Sequence, residues 1–274
     1  MASSCGRDEL ISFQTDRVTR IWWCPTGPFS FLPLHAAGNY SSNAPLGSNL
    51  SDFAVSSYTP SITALLQALD SRPALSPTPE VLVVAQPAAK GQARLPGTEK
   101  EAELITSQAN GISVVTLMQA EATIDKVKEK MRTATSVHFA CHGVQADSSI
   151  ESALLVADSS RLTLSEIINM KLGSKDLAFL SACQTATGDE KLPDEAVHLA
   201  AGMLLAGYRG VIATMWTIND NHAPQVANDV YKVLFQDPQS DVTKAAEALH
   251  FAVKNLRESG VSCSSWVPFI HLGV

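Results

Sequence analysis

Two short motifs carry the residue types used in acyl transfer. His142-Gly143 follows the run Ser136-Val-His-Phe-Ala-Cys141, and Cys183 follows Leu177–Ala182 (LAFLSA). Both runs are apolar and read as buried strands, so each motif sits at a strand end. In an open α/β sheet, reacting groups collect beyond the carboxyl ends of strands, where loops converge. A cysteine placed there can be held as thiolate by a nearby imidazolium and by exposed backbone N–H groups. The imidazole can then protonate a departing amine and later help water attack the thioester. Gly143 has no side chain, so its N–H, together with that of Cys183, would form a two-donor oxyanion hole. Each motif alone has a plain structural reading. A strand-end Cys is often a small hydrophobe, and His-Gly is common in turns. Together, on strands made neighbours by the intervening strand and helix, they favour a dyad of His142 and Cys183, with no third side chain required. Cys141 lies among apolar neighbours and reads as core. Cys5, Cys24 and Cys263 have no reactive context.

The surrounding elements alternate. Strand-like runs occur at Val81–Ala85, Ile112–Met118, Ser136–Cys141, Ala153–Ala157, Leu177–Ala182 and Gly210–Trp216. Helices are expected at Gly97–Ala109, Thr123–Met131, Leu164–Met170, Asp194–Ala206, Asn221–Phe235 and Val242–Glu258. For the first of these, Thr98 and Glu101 have the spacing of a capping box. Near-continuous apolar strands suit a sheet covered on both faces, so the expected class is α/β, a three-layer sandwich with a mostly parallel central sheet. Residues 1–60 read as an elaborated edge of the same single domain, 1–274. They carry a strand at Arg20–Cys24, a hairpin-like return through Phe29–His35, and a loop before a helix at Ser61–Leu69. Pro-rich Ser71–Pro79 reads as a linker or surface loop.

Composition excludes several classes. Hydrophobic residues are 45% and charged residues 17% of the chain, the opposite of a disordered composition. The net charge of −7, without a Lys/Arg cluster, argues against nucleic acid. No apolar run reaches the ~20 residues of a membrane span, and the charged first twenty residues lack a secretory signal. Five widely spaced cysteines suit reduced thiols in a cytoplasmic setting. No His/Cys/Asp/Glu spacing suggests a metal, and no glycine-rich motif suggests a nucleotide cofactor. The remaining histidines, His35 and His138 among them, read as core or helix-surface residues.

HFACHG, LSACQTATG, DEAVHLAAGMLLAGYRGVIATMWTINDNHA and the closing WVPFIHLG resemble the CHAT domain, the caspase-like family of clan CD cysteine peptidases often found beside tetratricopeptide repeats. WWCPTGPFSFLPLHAAG and LPGTEKEAELI extend the resemblance, which is closest to fungal members, from about Arg20 to the C-terminus. It implies a caspase-hemoglobinase fold with His142 and Cys183 as the dyad, kin to caspases and more closely to separase. Thr185 departs from the Q-A-C-[RQG]-G signature of caspases, which removes the basis for transferring their aspartate specificity. Acidic residues follow the cysteine instead. Asp189 and Glu190 read as solvated, while Asp194 and Glu195 suit a helix start. Asp220, after the last strand, is the better candidate for an acidic pocket, with Trp216 as its wall and Asp194 as a second acid. Such a pocket would prefer Arg or Lys over Asp at P1. The expected activity is thus a cysteine endopeptidase acting on a protein or peptide substrate, controlled by helical repeats or another partner outside this chain. The alternatives are a latent or inactive regulatory interaction module and a transpeptidase. Nothing in the residues distinguishes an edge-paired oligomer from a monomer.

Overall fold

The computed structural model describes residues 19–41, 43–45, 47–70, 79–144, 146, 151–184, 195–236 and 242–274, with backbone alone at 182–184 and 195–198. Val81 through Ala85 are all at most 2% exposed, and burying a Val or Leu contributes about 1.5–3 kcal/mol. A segment that apolar on both sides is stable only inside a covered sheet. It forms β3 (Glu80–Ala85), with β4 (Ser113–Met118) parallel on one side and β5 (Ser136–Val144) parallel on the other. β8 (Lys175–Gln184) continues the sheet in parallel, followed by β9 (Tyr208–Thr214).

At the far side the sheet turns mixed. β10 (Phe269–Gly273) runs antiparallel to β9, and β2 (Ala54–Tyr58) and β1 (Thr19–Trp23) complete the order β1-β2-β10-β9-β8-β5-β3-β4. Two short strands, β6 (Ala153–Leu155) and β7 (Arg161–Thr163), attach antiparallel at the end of β5. After β2 comes α1 (Ile62–Asp70), and further helices cover both faces of the sheet. The side chains of α2 (Gly97–Gln108), α6 (Ala223–Leu234) and α7 (Ala245–Glu258) fill one core; those of α3 (Ile124–Thr133), α4 (Leu164–Asn169) and α5 (Glu195–Ala206) fill the other. α6 shows why: Val226, Ala227, Val230, Tyr231 and Leu234 recur on one stripe and all are buried.

Two expectations need correction. Phe29–His35 makes no hairpin; it forms 3₁₀ turns at Gly27–Phe31 and Leu34–Ala36. Pro28 and Pro33 have no amide proton to give a ladder. The chain instead crosses to β2, which lies parallel to β1. Thr98 and Glu101 do not form a capping box either. Thr98 Oγ1 donates to Leu95 O at 2.8 Å, and Glu101 is buried among sheet residues. Ser71–Pro79 lies outside the described residues apart from its last position.

Candidate functional site

Parallel pairing of β5 with β8 runs from Val137↔Ala178 to Gly143↔Gln184, and within it His142 is the Cα partner of Cys183. Neighbouring strands lie about 4.8 Å apart. The two backbone positions are therefore at one level near the carboxyl ends of adjacent central strands. His142 is buried, at 1% exposure. Its Nε2 lies 2.8 Å from Ala93 O. A carbonyl can only accept, so Nε2 carries the proton and Nδ1 is left as the acceptor of the neutral ring. Nδ1 is buried and has no hydrogen-bond partner among the described residues. The backbone thus sets the tautomer and leaves the other nitrogen available for proton transfer. Gly143 lies inside β5, one residue before its end, and pairs with Gln184 on β8 and Leu154 on β6.

A buried polar cluster lies below this pair. His138 and His142, four residues apart on β5, share one face, and Ser181 stands two residues before Cys183 on the adjoining β8. Glu101, 1% exposed on α2, accepts from Ser181 Oγ at 2.9 Å and meets His138 Nε2 at 2.8 Å. Tyr231 Oη on α6 meets His138 Nδ1 at 3.3 Å. One carboxylate therefore ties α2 to both strands that bear His142 and Cys183. Ala93, in the loop that leads into α2, holds the imidazole from above. The sequence reading missed Ala93, since a backbone acceptor leaves no mark on residue type, and it spent Glu101 on a helix cap.

Two of the proposed pocket residues, Asp220 and Trp216, are among the described residues. Asp220 Oδ2 accepts the amide of Gly97 at 2.7 Å, at the first residue of α2. A carboxylate at a helix N-terminus satisfies an orphan donor and complements the dipole. A Cβ at Gly97 would collide with this same residue, so glycine is what allows the approach. Asp220 thus anchors the start of α2 through Oδ2. Trp216 stands two residues beyond β9 and packs against both cores, its Nε1 donating to Ser264 O at 3.4 Å. Asp194, with Asp189 and Glu190, lies outside the described residues, as does the side chain of Glu195.

Other histidines sit in structural networks. His35 bonds Tyr58 Oη and Val267 O, both at 2.8 Å, and burial holds its pKa down to about 4 and pushes that of Tyr58 up to about 12. His271 meets Ser57 Oγ at 2.9 Å, with burial depressing it to about 3. Cys141 is fully buried. Among the described residues no cluster of His, Cys, Asp and Glu could hold a metal ion, and no helix is long and apolar enough to cross a membrane.

Solved structures share this architecture. The crystal structure of the Arg specific cysteine proteinase gingipain R aligns with a TM-score of 0.58 at 10% identity, over 96% of this chain and 64% of that one. A complex of Porphyromonas gingivalis RgpB pro- and mature domains aligns with a TM-score of 0.51 at 12% identity, over 80% and 55%. The chain thus spans under two thirds of these neighbours, and at such identity the likeness is one of fold, the caspase-hemoglobinase fold. No curated protein matches the chain. The family model of the CHAT domain matches residues 6–274, nearly the entire sequence, and the chain belongs to the CHAT domain family.

Proposed function

We propose that this domain is a cysteine endopeptidase in which Cys183 is the nucleophile and His142 the general acid and base. The observation that carries the reading is the register of β5 and β8, which pairs His142 with Cys183, combined with an imidazole whose Nε2 is held by Ala93 O. In the resting state His142 Nδ1 accepts the thiol proton, and the thiolate attacks the scissile carbonyl. The C–N bond breaks as Nδ1–H protonates the departing amine, leaving a thioester. Water then loses a proton to Nδ1 and attacks the thioester; cleavage of the C–S bond returns the sulfur as thiol and frees the acid. The amides of Gly143 and Cys183 are the proposed oxyanion donors, each worth about 2.7–4 kcal/mol where such donors have been removed. The carbonyl of Ala93 stabilises the imidazolium formed in each step, as a third catalytic side chain would. Gingipain R is named for Arg specificity; in this chain Asp220, the residue expected to supply that preference, holds the start of α2 through Oδ2.

The burial of His142 favours a second reading, a latent module whose crevice opens when a partner binds. Both readings are separable. Cys183→Ala should abolish cleavage of a protein or peptide substrate while leaving the thermal midpoint nearly unchanged, and retained cleavage would remove the dyad. A thiol-directed peptide inhibitor should label Cys183 stoichiometrically in an open site and leave it unlabelled in a latent one. An added amine acceptor, followed by product mass, reports whether transpeptidation competes with hydrolysis.

A further inference from the structure

On the side of β5 away from β8, a cavity of about 430 Å³ opens at the carboxyl ends of β3 and β4. Its wall includes Gln86, Lys90, Arg94, Gln119, Asp158 and Ser159. Gln86 is 3% exposed, and its Nε2 donates to Val156 O at 3.1 Å. Its Oε1 is buried without a hydrogen-bond partner among the described residues. A buried carbonyl left unpaired is costly, and a ligand N–H would remove that cost. Four residues other than glycine have positive φ among the described residues, and three of them line this cavity: Gln119 at 49°, Asp158 at 55° and Ser159 at 59°. Left-handed backbone of this kind gathers where a site is shaped. Lys90, Arg94 and Asp158 form no ion pair among the described residues, so the lining holds two cations and one carboxylate and carries a net charge of +1.

We propose that this cavity is a substrate subsite that takes an acidic side chain, Asp or Glu, from the leaving-group half of a cleaved peptide. The carboxylate is held by Arg94 and Lys90, and a peptide N–H donates to Gln86 Oε1. The placement follows from strand order. Across β8, β5 and β3 the sequence is Cys183, His142, cavity, and the group that protonates the departing amine stands between the sulfur and the leaving half. Arg94 adjoins Ala93, the residue whose carbonyl holds His142, so the subsite and the catalytic imidazole share one loop. Asp158, whose neighbour Ser159 accepts from the Lys90 amide at 2.6 Å, repels an acid and turns it toward the cations.

This inference rests on the peptidase reading for the direction of the peptide, and its test needs no turnover. With the Cys183→Ala protein, fluorescence anisotropy of a labelled, capped alanine peptide carrying one glutamate should show saturable binding. The same peptide with glutamine should bind about tenfold more weakly, the scale of a charge-assisted contact. K90A/R94A, two exposed positions, should erase that difference, and Arg94→Glu should reverse it in favour of a lysine peptide. Equal binding of the glutamate and glutamine peptides, or a preference that survives K90A/R94A, overturns the proposal. Competition by inorganic phosphate as strong as by the glutamate peptide would also overturn it, because the site would then be one for free anions. A glutamate preference in binding, from a protein that cleaves nothing when Cys183 is present, supports the subsite and sinks the peptidase reading alone.

Discussion

At the residue scale, Glu101 concentrates the energetics of the site. A carboxylate at 1% exposure survives burial because both oxygens are used, one by Ser181 and one against His138. Removing it leaves two buried polar groups short of a partner, at about 1–3 kcal/mol each. Glu101→Ala should therefore lower unfolding free energy by about 2–6 kcal/mol in urea titrations, whereas Glu103→Ala on the exposed side of α2 should stay within about 0.5 kcal/mol. Equal effects of the two would show that Glu101 is no tie. The residue scale also marks the limit of reading types alone. That the His142 and Cys183 positions lie level on adjacent strands was legible because each follows an apolar run and the two occur together. Glu101 fitted a capping-box spacing that local sequence cannot distinguish from a long-range bond. Gln86 gave no signal, since an amide after a buried strand looks like any loop residue.

At the element scale, α2 is set by contacts from distant parts of the chain rather than by its own ends. Pro96 at its N-cap offers no side-chain bond, and the missing acceptor comes from Asp220, beyond β9. Asp220→Ala should cost about 1–2 kcal/mol, the range of a lost helix cap, measured by denaturation. P1 preference in a peptide library should not move, and a shift from basic toward acidic P1 would return Asp220 to a specificity role. The strands of the central sheet were legible because each carries a short apolar run. β2 and β10 were not: AVSSY contains two serines and follows a turn-rich stretch, and FIHLG is broken by histidine. Their places are settled by pairing with β1 and β9, which no local pattern encodes.

At the scale of the whole molecule, the mixed flank of the sheet depends on two neutral buried histidines. His35 joins the 3₁₀ turn after β1 to Tyr58 and Val267, and His271 joins β10 to Ser57 on β2. Burial holds them to about 4 and about 3 when folded, whereas a free imidazole titrates near 6.5. The unfolded chain therefore takes up protons first, and stability present above pH 6.5 is lost as pH falls toward 4 and below. By pH 5 each histidine should cost about 2 kcal/mol, seen as a falling denaturation midpoint between pH 7 and 5. A midpoint constant over that interval would contradict the buried neutral state.

The grip on His142 comes from the main chain of residue 93, and a peptide oxygen is common to all twenty amino acids. That position can be indispensable while its letter drifts freely among relatives, so a ranking of sites by conservation would pass over it. What selection must preserve there is the path and length of the loop. A single inserted residue between Pro87 and Leu95 would do damage that a scan of substitutions through the same stretch would never reveal.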